Sequence, residues 1–382
     1  MTRGEFKIVV LSGLGWMFDA MDVLILSYLL VAMREELALD RAASTWIVLA
    51  NNLGMFLGAF LFGKLADVVG RKKVFMATML LYSIATAASA AARTWQEFAA
   101  IRFFVGVGLG GELPVVATYV SENSPPERRG RNVVLLESFW SIGALLAAAV
   151  SLFIFTTLGW RTALVLMGAT AFYVFVIRSA LPESQRWLER IKEGASAELK
   201  PYAARLAIAS AIWFLLAFGY YGAFIWLPTM LRTERGFTQV ATYEFMFLTT
   251  IAQLPGYFSA AYLVERVGRR PIAAAYFVAS ALSAVLLIYS TSYAQLFYAA
   301  LALNFFNLGV WGVVYAYTPE LFPTSIRGLA TGLAGSAARI GMIIGPTLYP
   351  LWASVAFIGV AVAWLIASAL VALLPETKGR EV

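Results

Sequence analysis

Runs of about 20 apolar residues, enough to cross a ~30 Å hydrocarbon core as helix, recur along the chain between short polar loops. They fall at 8–33, 44–63, 74–92, 97–120, 132–157 and 162–181, then at 203–231, 243–264, 271–291, 294–318, 328–350 and 353–374. This pattern predicts twelve transmembrane helices. The runs are rich in Leu and Ala and lack the ten-residue alternation of a closed β-barrel. The longest polar segment, 182–201, reads as a linker with one amphipathic turn around Trp187. No appended soluble domain is expected.

The two sets of six are copies. Tyr119-Val-Ser-Glu122 with Arg129-Gly130 recurs as Tyr317-Thr-Pro-Glu320 with Arg327-Gly328. The same register carries Val69-Gly70-Arg71 onto Val267-Gly268-Arg269, sets Glu265 opposite Asp67, and pairs Ser138 and Gly143 with Ser336 and Gly341. A repeat of half the chain is too long for a solenoid unit, so each copy reads as a helical bundle. The expected domains are an N-terminal bundle over 1–181, a linker over 182–202 and a C-terminal bundle over 203–382.

Composition agrees with membrane burial: 61% of residues are hydrophobic and 13% charged. Placing both termini in the cytoplasm puts about 21 of the 29 Lys and Arg in inner loops, so the formal charge of +7 marks topology rather than nucleic-acid binding. Cysteine and histidine are both absent. Thiol chemistry and the usual zinc sites are thereby excluded, and proton chemistry falls to carboxylates. Neither a cofactor nor a metal is expected.

Gly63-Lys-Leu-Ala-Asp67-Val-Val-Gly70-Arg71, echoed by Glu265-Arg-Val-Gly268-Arg269-Arg270, resembles the signature loop of the major facilitator superfamily. The resemblance covers essentially the whole chain. It implies an all-α membrane protein with two six-helix bundles related by a pseudo-twofold axis along the membrane normal, alternating between outward-open and inward-open states. Pro182-Glu-Ser-Gln-Arg186 and Pro375-Glu-Thr-Lys-Gly379 are similar to the segments closing each half of sugar porters. Gly15-Trp-Met-Phe-Asp19-Ala-Met-Asp22, Gly219-Tyr-Tyr-Gly222 with Trp226-Leu-Pro228, and Ala338-Arg339-Ile-Gly341 resemble nicotinate transporters, synaptic-vesicle-type proteins and organic ion transporters. The Asp-x-x-Asp pattern is also similar to that of aromatic-acid:proton symporters. The seventh helix lacks the paired glutamines with which sugar porters hold a hexose.

Six ionisable residues fall inside the spans: Asp19, Asp22, Arg102, Glu112, Glu137 and Arg339. Each would cost about 2.5 to 3.5 kcal/mol or more facing lipid, so partners or a wet cavity are expected. None has a charged counterpart in the other copy, which marks them as particular to this protein's task. Helix rise puts Asp22 and Arg102 at similar depths, ~21 and ~24 Å from the inner face, so they can meet. Sugar porters resemble this arrangement in their proton-coupling pair; a static salt bridge is the alternative. Asp19 lies one turn from Asp22, an arrangement that suits a proton carrier. Glu112 and Glu137, nearer the inner side, are candidates for an inner gate or proton exit, with structural hydrogen bonding as the alternative. Arg339 is the candidate anion-binding residue, because organic anion transporters resemble this sequence in placing Arg there.

Tyr220, Tyr221, Trp226, Trp311 and Tyr315 fall on helices that line the cavity in the resembled superfamily, where a planar substrate could stack. Asp67, Arg71, Glu122, Arg129, Glu265, Arg269, Glu320 and Arg327 are expected to form a cytoplasmic gate. The reading is a monomeric, non-enzymatic plasma-membrane symporter that couples protons to a small organic anion, an aromatic monocarboxylate such as nicotinate. A sugar:proton symporter or facilitator, and a transporter-like binding protein or sensor, are the alternatives.

Overall fold

The computed structural model describes residues 2–33, 35–184, 186–189, 198–237, 239–348 and 356–379, and among these every regular element is helical. The helices of the first copy are α1 (Arg3–Ala32), α2 (Arg41–Val69), α3 (Arg71–Ser89), α4 (Trp95–Glu122), α5 (Arg129–Ala149), α6 (Thr156–Gly168) and α7 (Tyr173–Ala180). Those of the second are α8 (Ala203–Thr233), α9 (Gln239–Thr250), α10 (Gln253–Arg266), α11 (Arg269–Tyr289), α12 (Tyr293–Glu320), α13 (Arg327–Leu348) and α14 (Ala356–Ala372). Eight described stretches are long and apolar enough to span a membrane, and 357–372 is a shorter apolar helix. The other expected spans differ for local reasons. α3 and α5 open on clustered cations. The expected helix 243–264 is broken by a turn at 251–252, after which Pro255 sits in the first turn of α10, where a missing N–H costs nothing. A π-wound segment, Val150–Phe155, interrupts the fifth expected span, and Gly159 at φ 79° stands between it and the sixth.

The chain divides into two compact units. Unit 1 comprises Met1–Pro125, Phe139–Leu199 and Phe322–Ser336; unit 2 comprises Pro126–Ser138, Lys200–Leu321 and Ala337–Val382. Each unit thus includes a short segment from the other sequence copy, the start of α13 in unit 1 and of α5 in unit 2.

In unit 1, α2 and α4 lie backbone to backbone. A Cβ on Gly54 or Gly58 would stand 2.1 or 2.0 Å from the carbonyl oxygens of Phe103 and Val107, and one on Gly106 or Gly110 would stand 2.1 or 2.0 Å from those of Asn51 and Met55. Only hydrogen fits at these crossings. Asp40 caps α2 by accepting from the Ala43 N–H at 2.7 Å, Thr94 caps α4, and Ser292 with Gln295 forms a capping box on α12. Gly70 and Gly268, at φ 114° and 125°, turn the chain directly into α3 and α11.

Candidate functional site

Asp19 and Asp22 lie one turn apart on α1, and both are buried. From α4, Arg102 places Nη1 2.8 Å from Asp22 Oδ1 and Nη2 3.4 Å from the Asp22 carbonyl. Thr86 Oγ1 donates to the other Asp22 oxygen. Both charges are withdrawn from solvent, so deleting one partner would strand the other at a cost of about 3–5 kcal/mol. Further along α4, Glu112 is fully buried and among the described residues neither carboxyl oxygen has a hydrogen-bond partner. One of them stands 3.5 Å from the Cβ position at Gly15, and Asp19 and the Tyr82 hydroxyl lie within electrostatic reach. Asp19, Asp22, Arg102 and Glu112 therefore converge in unit 1. Glu137 does not join them: it belongs to unit 2, within electrostatic reach of Tyr257 on α10.

Unit 2 gathers the aromatic candidates. Tyr220 packs on Tyr221 at 5.0 Å and on Trp311 at 5.7 Å between ring centroids, and Trp311 packs on Tyr315 at 5.8 Å. Trp213, which the sequence reading passed over, closes the group at 4.4 Å from Tyr315, its indole N–H held by Thr318 Oγ1 at 2.9 Å. Seven residues, two helical turns, separate Trp213 from Tyr220, and that spacing was the available signal. The Trp226 side chain lies outside what the structure describes. Arg339 on α13 lies within electrostatic reach of Tyr221. Its Nη1 meets only Met342 Sδ at 3.1 Å, its Nε has no partner, and among the described residues it forms no ion pair. A buried guanidinium left in this state can receive a carboxylate on two parallel hydrogen bonds.

All eight expected gate residues fall in two matching networks. In unit 1, Arg71 holds Glu122 through Nε and Nη2 at 3.1 and 3.0 Å and reaches Asp67 at 2.8 Å. Burial alone would lower the pKa of Arg71, but the Glu122 and Asp67 carboxylates outweigh it and hold it above its ordinary value. Asp67 accepts from the Gly328 and Leu329 N–H groups at the start of α13, and Arg327 reaches Glu122 at 3.2 Å. In unit 2, Arg269 holds Glu320 at 3.0 and 3.2 Å and Glu265 at 2.8 Å; Glu265 accepts from Arg131 N–H, and Arg129 lies within electrostatic reach of Glu320.

The closing segments complete both networks. Ser184 Oγ donates to Glu122 and Thr377 Oγ1 to Glu320, each at 2.5 Å. Tyr119 and Tyr317 donate to the carbonyls of Pro182 and Pro375. Glu183 and Glu376 accept from the first N–H groups of α3 and α11. Trp187, in the helical turn 186–189, donates to the Asp67 carbonyl at 2.9 Å.

Ionisable residues inside apolar spans are expensive and are kept paired or facing a cavity, and the family whose model matches the chain puts it in a class of multi-pass membrane transporters, not enzymes. The chain belongs to the Major Facilitator Superfamily, whose family model matches residues 11–260 and 244–381. It is 44% identical over 98% of its length to a Bacillus subtilis (strain 168) protein named as a candidate niacin/nicotinamide transporter, NiaP, 97% of which is covered. It is 40% identical over 90% of its length to the niacin transporter NiaP of Acinetobacter baylyi, covering 86% of that protein. Among solved structures, the proton:xylose symporter XylE aligns with a TM-score of 0.80 at 18% identity, over 98% of this chain and 97% of that one, a likeness of fold alone.

Proposed function

We propose that this chain is a proton-coupled symporter of a small organic anion, an aromatic monocarboxylate such as nicotinate, working by alternating access of two six-helix halves, 1–181 and 203–382. In this reading twelve helices cross the plasma membrane with both termini cytoplasmic, and the monomer is the working unit. Asp22 with Arg102 carries the coupling, Asp19 and Glu112 extend the proton path, Glu137 belongs to its inner end, and the two loop networks are the gate. The observation that carries the substrate class is Arg339, which forms no ion pair among the described residues and lies within electrostatic reach of Tyr221 in the aromatic group of Tyr220, Tyr221, Trp311 and Tyr315. A guanidinium takes the carboxylate and the rings take the planar body. The relatives at 44% and 40% identity are both named for niacin, the first for nicotinamide as well.

The test is ligand-induced thermal shift on the purified protein. Nicotinate is expected to stabilise, nicotinamide to bind poorly and sugars to have no effect. Arg339→Lys should weaken nicotinate binding by about tenfold or more, since lysine cannot form the fork. Equal binding of nicotinate and nicotinamide, or unchanged affinity in Arg339→Ala, would overturn the anion reading.

A further inference from the structure

Two asparagines three residues apart on α12 have opposite fates. Asn304 is satisfied: its Nδ2 donates to the Ala300 carbonyl at 2.9 Å and its Oδ1 accepts from Gln253 Nε2 at 2.9 Å. Asn307 is equally buried, at 0% exposure, yet among the described residues neither its Nδ2 nor its Oδ1 has a partner. A buried amide without partners costs about 1–3 kcal/mol per stranded group, so a protein retains one where something else fills the vacancy. Asn307 lies one and two turns from Trp311 and Tyr315 on the same face of α12. The Trp311 indole N–H is also buried and unpartnered. Asn307 and Trp311 therefore leave three open N–H groups, two on Asn307 Nδ2 and one on Trp311 Nε1, against one acceptor atom, Asn307 Oδ1. By helix rise, Asn307 stands about 20 Å from the inner end of α12 and Arg339 about 18 Å from the inner end of α13.

We propose that Asn307 is a specificity-determining residue that donates a hydrogen bond to a ring nitrogen of the bound acid, so that the site prefers heteroaromatic carboxylates of the pyridine type over benzenoid ones. This rests on the proposed function, with Arg339 taking the carboxylate. The donor excess favours a ligand edge that accepts, and a pyridine nitrogen accepts without donating. Benzoate has the same shape and charge but leaves the amide stranded, so the discrimination arises from an unmet group in the protein rather than from a clash.

Binding of nicotinate and benzoate to the purified full chain, measured by calorimetry in parallel for the parent and Asn307→Leu, tests this. The parent is expected to prefer nicotinate by about tenfold, the equivalent of one such hydrogen bond. Asn307→Leu should bind the two acids within about twofold of each other by losing nicotinate affinity while keeping that for benzoate. Should the leucine variant not be recoverable, Asn307→Ala is read by the same ratio. A parent that does not distinguish the acids, or a variant that weakens both equally, overturns this inference and leaves the anion reading standing. Failure of the parent to bind either acid overturns both.

Discussion

Asp22 and Arg102 show how far a single residue can be read before its surroundings are known. The sequence placed two opposite charges at one depth in apolar helices, and burial without partners is too costly for such groups to ignore each other. The structure brings them to 2.8 Å and adds Thr86 as the second partner of Asp22. Thr86 was invisible in the sequence because a lone threonine in a span carries no charge pattern. For the same reason the open amide of Asn307 escaped notice, since an unmet hydrogen bond exists only in three dimensions. If the pair couples the proton to alternation, Asp22→Asn should abolish uphill, proton-driven accumulation of substrate while keeping downhill exchange, because the amide still bonds Thr86 and Arg102 but no longer titrates. Proteoliposomes with and without an imposed pH gradient give the measurement. Full accumulation by Asp22→Asn would remove Asp22 from the mechanism.

Helix existence was legible, and helix company was not. Gly106, Gly108, Gly110 and Gly111 permit close packing of α4, but its partners had to be seen: Gly54 and Gly58 on α2 meet the α4 backbone, and Gly108 meets α3 at Thr78 and Tyr82. The four-residue spacing of Gly54 and Gly58 was in plain sight and fits this role. Breaks inside expected spans were harder, because apolar periodicity continues through the turn at 251–252 and the π-wound segment at Val150–Phe155. These interruptions arise from backbone geometry rather than from polarity. The crossing of α2 on α4 makes a sharp prediction. Gly58→Ala puts a methyl 2.0 Å from a backbone oxygen and should destabilise by about 1–3 kcal/mol, seen as a lower Tm in detergent. Gly359→Ala in α14, where nothing lies within 4 Å, should leave Tm unchanged or raise it slightly. Equal effects would mean that helix propensity, not the crossing, sets the response.

At the scale of the molecule the duplication organises everything, and it extends further than a fixed register reveals. The offset that carries Arg71 onto Arg269 and Arg131 onto Leu329 does not carry Ser184 onto Thr377, although the two hydroxyls occupy matching places on Glu122 and Glu320. In the second copy Pro375 lies 34 residues after Gly341, where in the first Pro182 lies 39 after Gly143, which shifts the closing segments, so register alone could not assign them to the networks. Those networks also mix the copies: Arg327 from the second binds Glu122 from the first, and Arg131 from the first donates to Glu265 from the second. Surface ion pairs contribute little singly, but Arg71–Glu122 and Arg269–Glu320 are buried and bidentate, and single contacts from Arg327 and the Arg131 backbone N–H tie them to the other copy, contacts that an alternation separating the copies would break. The proposed latch therefore predicts that Glu122→Gln shifts the equilibrium toward the state in which the network is open. The chain has no cysteine, so a single Ser336→Cys reports it: Ser336 is buried, donating to the Phe56 carbonyl at 3.0 Å, and should react with a thiol reagent only when the latch opens. Glu122→Gln is expected to raise that labelling rate by about tenfold, corresponding to about 1.4 kcal/mol of lost latch stability. Glu127→Gln, a change on an exposed loop residue outside both networks, should not. Identical labelling in the two variants would mean that the Arg71, Glu122 and Arg327 network holds the fold in every state and gates nothing.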